Sequence, residues 1–174
     1  MFNSKTKWTI RKAAASDTSA VMEIIRRTAF FRPVEETIAQ EVLDQACTAD
    51  GGGYQSYVAE TGGRVGGWVC FGATPCTVGT FDVYWIAVDP DRQQAGLGSR
   101  LLAFAERQIT EQAGRLVVIE TSGLEKYRPT RQFYDKNDYT LVACIEDFYA
   151  PGDPKLIYTK VLASGQPTSP HQSP

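Results

Sequence analysis

Apolar residues fall along the chain in two periods, and the switches between them divide it into elements. "WTIRKA" (Trp8–Ala13) alternates like an opening strand. In "SDTSAVMEIIRRTAF", Ser16 or Asp17 stands where a helix cap belongs, and Val21, Ile24, Ile25 and Ala29 share one helical face. "FFRP" breaks that pattern. Pro33 suits a first helical turn, and Val34, Ile38, Val42 and Ala46 carry a second helix toward Cys47, ended by "ADGGG". From Gln55 the period turns strand-like: "QSYVAE", a "TGGR" turn and "VGGWVCFG" read as a hairpin. After the loop "TPCTVGT" comes the strand "FDVYWIAV". Leu97, Leu101, Leu102, Ala105 and Ile109 then line one face of a helix that starts near Gly96 and is closed by Gly114. "RLVVIE" is a short buried strand, "PTRQFYDK" a short helix with Pro129 in its first turn, and "YTLVACI" and "KLIYTKVL" two more strands.

This order predicts an α/β domain over 1–162, with a βαβ-like crossover from Phe81 to Glu120 at its centre. Residues 163–174 are rich in Pro, Ser and Gln and are expected to be disordered. The length of 174 residues suits one domain with a sizeable core. A net charge of −2 gives no basic footprint for nucleic acid, and the apolar runs are too short to span a bilayer. The opening "MFNSKTKWTI" lacks the apolar core of a signal peptide, so a cytoplasmic protein is expected.

The four cysteines (Cys47, Cys70, Cys76, Cys144) form no CxxC pair and read as buried thiols. The single histidine, His171, lies in the tail. That leaves no Ser–His–Asp triad, no Cys–His dyad and no histidine-based zinc site; no metal is expected.

"QQAGLG" (Gln93–Gly98) sits where strand turns into helix. A dinucleotide fingerprint would need glycine where Leu101 stands, and a phosphate-binding P-loop would need Gly-Lys-Ser/Thr. A plain flexible corner is one reading. The other is a backbone cradle, because glycine allows close approach and a helix N-terminus offers free N–H groups to an anion.

"VDPDRQQAGLGSRLLAFAE" resembles the pyrophosphate-binding segment of the GNAT acyltransferase superfamily, with Gln93, Gly96 and Gly98 in the places of its Gln/Arg-x-x-Gly-x-Gly/Ala pattern. "RQFYDKNDY" resembles that family's second signature, an aromatic–Tyr pair on a short helix before a turn and strand. Together they cover roughly residues 81–145. The resemblance implies one GNAT-like domain, a mixed sheet flanked by helices with a splayed central pair of strands, and acetyl-CoA as co-substrate. It places the pyrophosphate on the backbone of Gln93, Gln94, Ala95, Gly96, Leu97, Gly98 and Ser99, with Ile86, Ala87 and Val88 along the neighbouring strand. Where the family usually has glycine before the aromatic ending the second signature, this chain has Asp138, which puts the turn geometry in question.

Acetyl transfer to an amine requires removing a proton from an ammonium that is neutral in only about one molecule in 10³ at pH 7, and protonating the leaving thiolate. Asp82, eleven residues before Gln93, takes the place of the family's carboxylate base; an aspartate does this only if burial raises its proton affinity or a water relays. Orienting substrate or capping a neighbour is the alternative. Tyr134 takes the place of the thiol-side general acid, against plain packing. Val88 would offer its N–H to the thioester oxygen. Glu120 is a second base or merely a strand-end carboxylate. The acceptor side falls on "FFRP", "TPCTVGT" and "EDFYAPGD", with Phe31, Arg32, Tyr84 and Tyr149 as candidates. Arg32 beside Phe31 suits an amine that also carries a carboxylate. The expectation is an N-acetyltransferase for a small-molecule amine, with room for a homodimer. Protein lysine or N-terminal acetylation, and a non-catalytic acyl-CoA sensor, are the alternatives.

Overall fold

A computed structural model describes residues 7–93 and 95–162. The predicted tail, with His171, and Gln94 lie outside the described residues. Seven strands form one sheet in the order β1-β2-β3-β4-β5-β7-β6: β1 (Thr9–Lys12), β2 (Gln55–Thr61), β3 (Arg64–Ala73), β4 (Thr80–Val88), β5 (Leu116–Ser122), β6 (Thr140–Ala150) and β7 (Asp153–Val161). Every neighbouring pair is antiparallel except β4 and β5, which flank the crossover helix α3 (Leu97–Glu111). The helices α1 (Thr18–Thr28) and α2 (Pro33–Ala46) precede the sheet's centre in sequence, and α4 (Arg128–Lys136) follows β5. No helix among the described residues is long and apolar enough to cross a membrane.

Two cores hold the layers together. On one face Leu97, Leu101, Leu102, Ala105 and Ile109 of α3, all buried as their spacing predicts, pack on Val69, Phe71, Phe81, Val83 and Val117. On the other, Val21, Ile24 and Ile25 of α1 and Ala39, Val42 and Leu43 of α2 cover Trp68 and Cys70. The Trp68 indole donates to Ser56 Oγ at 2.7 Å, which satisfies the one polar atom of the largest fully buried side chain.

Several local expectations are corrected. Ala29 lies beyond α1, exposed and left-handed at φ 56°, because the helix stops there. Asp17 precedes α1, but its side chain makes no cap bond to that helix. Its carboxylate accepts from Arg11 at 2.7 and 2.9 Å and from the Ala14 amide at 2.9 Å, which closes the short turn Ala15–Asp17 and ties β1 to the entry of α1. Val34 and Ile38 are 59% and 46% exposed, since the buried stripe of α2 runs through Ala39, Val42, Leu43 and Ala46. The left-handed residue after α3 is Ala113, not Gly114; Gly114 is needed because a Cβ there would strike Ile109. Only Cys70 is fully buried, while Cys76 and Cys144 are exposed.

The centre of the sheet is split. β4 and β5 share only the register pairs Thr80–Leu116, Phe81–Val117 and Asp82–Val118, yet β4 continues to Val88 against β3 and β5 to Ser122 against β7. The strands therefore part after Asp82, as the splayed pair implied by the resemblance requires. A bulge accompanies the split. Cys70 faces Trp85 and Phe71 faces Val83, which leaves Tyr84 as an extra residue. Phe81 and Val83 point to the α3 core; after the slip Ile86 and Val88 take that side, and Trp85 and Ala87 turn to the α1–α2 side.

Candidate active site

The wedge between β4 and β5 opens into a cleft of about 840 Å³ that runs from the first turn of α3 to the loop between α1 and α2. At the α3 end the chain leaves β4 through a short turn, Pro90–Arg92, braced by Arg27, which donates to Asp89 at 2.9 Å and Asp91 at 2.8 Å. The Gln93 side chain donates back to the Val88 carbonyl at 3.2 Å. Gly96 then adopts φ +76°, a conformation that glycine reaches without steric cost, and α3 begins. The first bond closing the helix runs from the Arg100 amide to the Gly96 carbonyl at 3.1 Å. Among the described residues no acceptor takes the N–H of Leu97, Gly98 or Ser99, and all three residues line the cleft.

A Cβ on Gly98 would lie 3.1 Å from the Phe133 ring and 3.7 Å from Val88, so only glycine leaves this wall open. Free amides, the positive end of a helix and a glycine-lined approach fit a pyrophosphate. Ile86, Ala87, Val88, Gln93, Gly96, Leu97, Gly98 and Ser99 all line the cleft; Ala95 is exposed outside its wall.

Midway, Tyr134 of α4 is 4% exposed and packs on the rings of Phe133, Tyr139 and Tyr158. Its hydroxyl has no hydrogen-bond partner among the described residues. Burial, reinforced by the neighbouring Tyr158 and Tyr149, raises its proton affinity above that of an ordinary tyrosine, so the hydroxyl stays protonated. The turn that delivers α4 into β6 is held by Asp138 at φ 65°, by the Asn137 side-chain Nδ2 donating to the Phe133 carbonyl at 2.7 Å, and by Lys160 Nζ donating to the Asn137 carbonyl at 3.0 Å. Asp138 thus reaches the left-handed turn that glycine would supply.

Asp82 lines the cleft where the strands part, and its Oδ2 accepts from Thr74 Oγ1 at 2.6 Å. No basic side chain among the described residues pairs with it. Glu120 lines the β5 side but is ion-paired to Lys155 at 2.6 Å and about half exposed.

The far end is aromatic and charged. Phe31 packs on Trp85 with centroids 5.1 Å apart, and Tyr84 meets Tyr54 edge-on at 5.3 Å. Tyr149 lines the same end, its hydroxyl pushed up to about 12 by burial and then by Glu120. The Arg32 guanidinium already holds Glu35, at 3.2 Å from Nε and 3.4 Å from Nη2, while its backbone N–H donates to the same carboxylate at 2.7 Å. The expected carboxylate fork is therefore occupied from within the chain. Trp85, Phe30, Tyr127, Phe133, Glu35 and Thr74 also shape the site, and sequence reading did not single them out. Only the Arg32–Glu35 spacing of three residues, at a helix start, was a local signal.

The acetyltransferase (GNAT) domain family model matches residues 52–141. A structure from Desulfovibrio desulfuricans assigned to the GNAT acetyltransferase family is 38% identical, with a TM-score of 0.87 over 90% of this chain and 100% of that one. A Salmonella typhimurium protein solved with acetyl-CoA has the same fold, with a TM-score of 0.71 at 18% identity over 96% and 99% of the two chains. The S-(2-succino)cysteine N-acetyltransferase of Bacillus subtilis is 26% identical over 108 residues, and the match spans 60% of the length of each protein. With more than half of its length under the family model, and a split sheet and glycine-lined helix start to match, the chain belongs to the GNAT family of acetyltransferases.

Proposed function

We propose that the protein transfers the acetyl group of acetyl-CoA to the amine of a small molecule, of the amino-acid type. The observation that carries this reading is the continuity of one cleft. It joins the amides of Leu97, Gly98 and Ser99, which no acceptor among the described residues takes, to Tyr134 and Asp82, and both to an aromatic end. The donor supplies an activated thioester; the chain's residues bind, orient and move protons. The first turn of α3 holds the pyrophosphate, and the backbone of Ile86–Val88 lines the approach to the wedge. Asp82, held by Thr74, takes the ammonium proton directly or through a water, and the amine nitrogen bonds to the acetyl carbon. As the carbon–sulfur bond breaks, the Tyr134 hydroxyl gives its proton to the sulfur. The second proton of the attacking nitrogen returns to Tyr134, directly or through a water, leaving the amide and the free thiol. Glu120, tied to Lys155, lines the wall as a second, ion-paired carboxylate.

A proton donor and a proton acceptor on opposite walls favour an enzyme over an acyl-CoA sensor, which needs neither. The amino-acid class is supported by Phe31 and Arg32 side by side at the acceptor end, and by the relative whose substrate is named as a cysteine derivative. Arg32 would bind a substrate carboxylate by exchanging Glu35 for it. A screen for thiol release from acetyl-CoA, with amino acids, S-substituted cysteines and polyamines as acceptors, tests the reading. Polyamines as the best acceptors would refute the acceptor class, and binding of CoA without release for any amine would leave a sensor.

A further inference from the structure

Two banks face each other across the wedge, and the chain ties them together. The α1–α2 loop leans on the β4 bank, where Phe31 packs on Trp85 at 5.1 Å. Lys126 and Tyr127 follow β5 and belong to the other bank. The carbonyl of Phe30 accepts from both of them, from the Tyr127 hydroxyl at 2.9 Å and from Lys126 Nζ at 2.8 Å. The Phe30 and Tyr127 rings meet at 5.6 Å, and the Lys126 ammonium lies 5.0 Å from the Tyr127 ring. All four contacts join residues that line the cleft. The left-handed turn at Ala29 aims the Phe30 carbonyl at the opposite bank by ending α1 abruptly one residue before it.

We infer that this bridge admits only compact free amines to the acceptor end and excludes amines carried on a peptide chain. The inference rests on the proposed acetyl transfer. A peptide acceptor has backbone on one or both sides of its reacting residue and needs an open groove between the banks. The bridge runs through that space. A small amine enters end-on and needs no such groove. Specificity would thus come from a steric exclusion built across the mouth, in addition to any attraction within it.

Two conjugates of coenzyme A test this without requiring turnover. In one the sulfur carries a CH₂–CO–NH link to a propyl group, in the other the same link to the lysine side chain of a pentapeptide. The wild-type protein should bind the peptide conjugate at least about tenfold more weakly than the propyl conjugate by calorimetry. In a Lys126→Ala, Tyr127→Phe double variant the gap should shrink to within about threefold. Equal binding of both conjugates to the wild type overturns the inference. So does a gap that persists in a double variant melting within a few degrees of wild type. Should that variant fold poorly, Lys126→Ala and Tyr127→Phe are measured singly, each removing one of the two bonds to the Phe30 carbonyl, and a gap that narrows in neither overturns the inference. If plain coenzyme A fails to bind, the donor reading itself falls, which is a separate result.

Discussion

Thr74 Oγ1 donates to Asp82 Oδ2 at 2.6 Å, at the last register pair that β4 shares with β5. The bond comes from the loop after β3 and fixes one carboxylate oxygen just where the wedge opens. The other oxygen has no partner among the described residues and is available to an ammonium or a relaying water.

If Asp82 takes the proton, Asp82→Asn should lower turnover about 10²-fold or more at low pH, with partial rescue at high pH where free amine is plentiful. The Thr74 hydroxyl fixes one oxygen of the carboxylate, so Thr74→Val should let it turn and lower kcat about tenfold, with little change in KM for acetyl-CoA. Thr74→Ser should restore the rate. A loss of equal size at every pH in Asp82→Asn would assign it a positioning role.

Tyr134→Phe should lower kcat by about 10²–10⁴ and leave coenzyme A affinity nearly unchanged, because the ring and its packing persist. Burial raises the Tyr134 hydroxyl above the ordinary tyrosine range, so its ionisation should produce no alkaline loss of activity below that range. Full activity in the phenylalanine variant would make the side chain a packing element.

Gly98→Val should abolish measurable coenzyme A binding. It should also cost about 1–3 kcal/mol of stability, since a Cβ already lies 3.1 Å from Phe133. Gly96→Ala separates the two effects. A Cβ there meets nothing within 4 Å, so the cost, about 1–2 kcal/mol, comes only from φ +76°. Unchanged calorimetric affinity in both variants would remove the first turn of α3 from the donor site.

The Arg11 guanidinium, by hydrogen bonds, holds the Asp17 carboxyl below its usual range, against an opposing effect of burial. A carboxyl with a lowered folded-state value contributes stability above its unfolded value near 3.9 and loses it as pH falls through the folded one. Asp17→Asn should therefore lower stability at pH 7 by about 1.5–3 kcal/mol and flatten the loss as pH falls below about 4. Melting temperatures of both proteins across that range check it.

Local patterns in the sequence carried much of this. The α3 face was legible because five residues repeat at helical spacing, and the Gly96–Gly98 corner because a helix start constrains its backbone. The buried stripe of α2 was misread by one helical position, since Val34 and Ile38 are apolar yet lie on the open side of a helix that covers the sheet with Ala39 and Leu43. Contacts between separate elements left no local trace. Thr74 meets Asp82 through strand pairing, and Phe30 meets Tyr127 across 97 positions, so neither follows from spacing. The occupied fork of Arg32 depended on a side-chain conformation, although its partner lies only three residues away.

The slip at Tyr84 makes this stretch of the gene intolerant of an added residue. Inserting one codon between Val83 and Trp85 would shift the distal half of β4 by one residue beyond the existing slip and exchange its faces: Ile86 and Val88 would leave α3 for α1, and Trp85 and Ala87 would move the other way. Loss of Tyr84 alone would instead straighten the strand and keep them. Phe31 would lose its stacking partner and the wedge its lining in a single event. The exposed Pro75–Val78 loop just upstream carries no such phase and can gain or lose residues freely. Natural variation in this region should therefore appear as substitutions within β4 and as insertions or deletions before it.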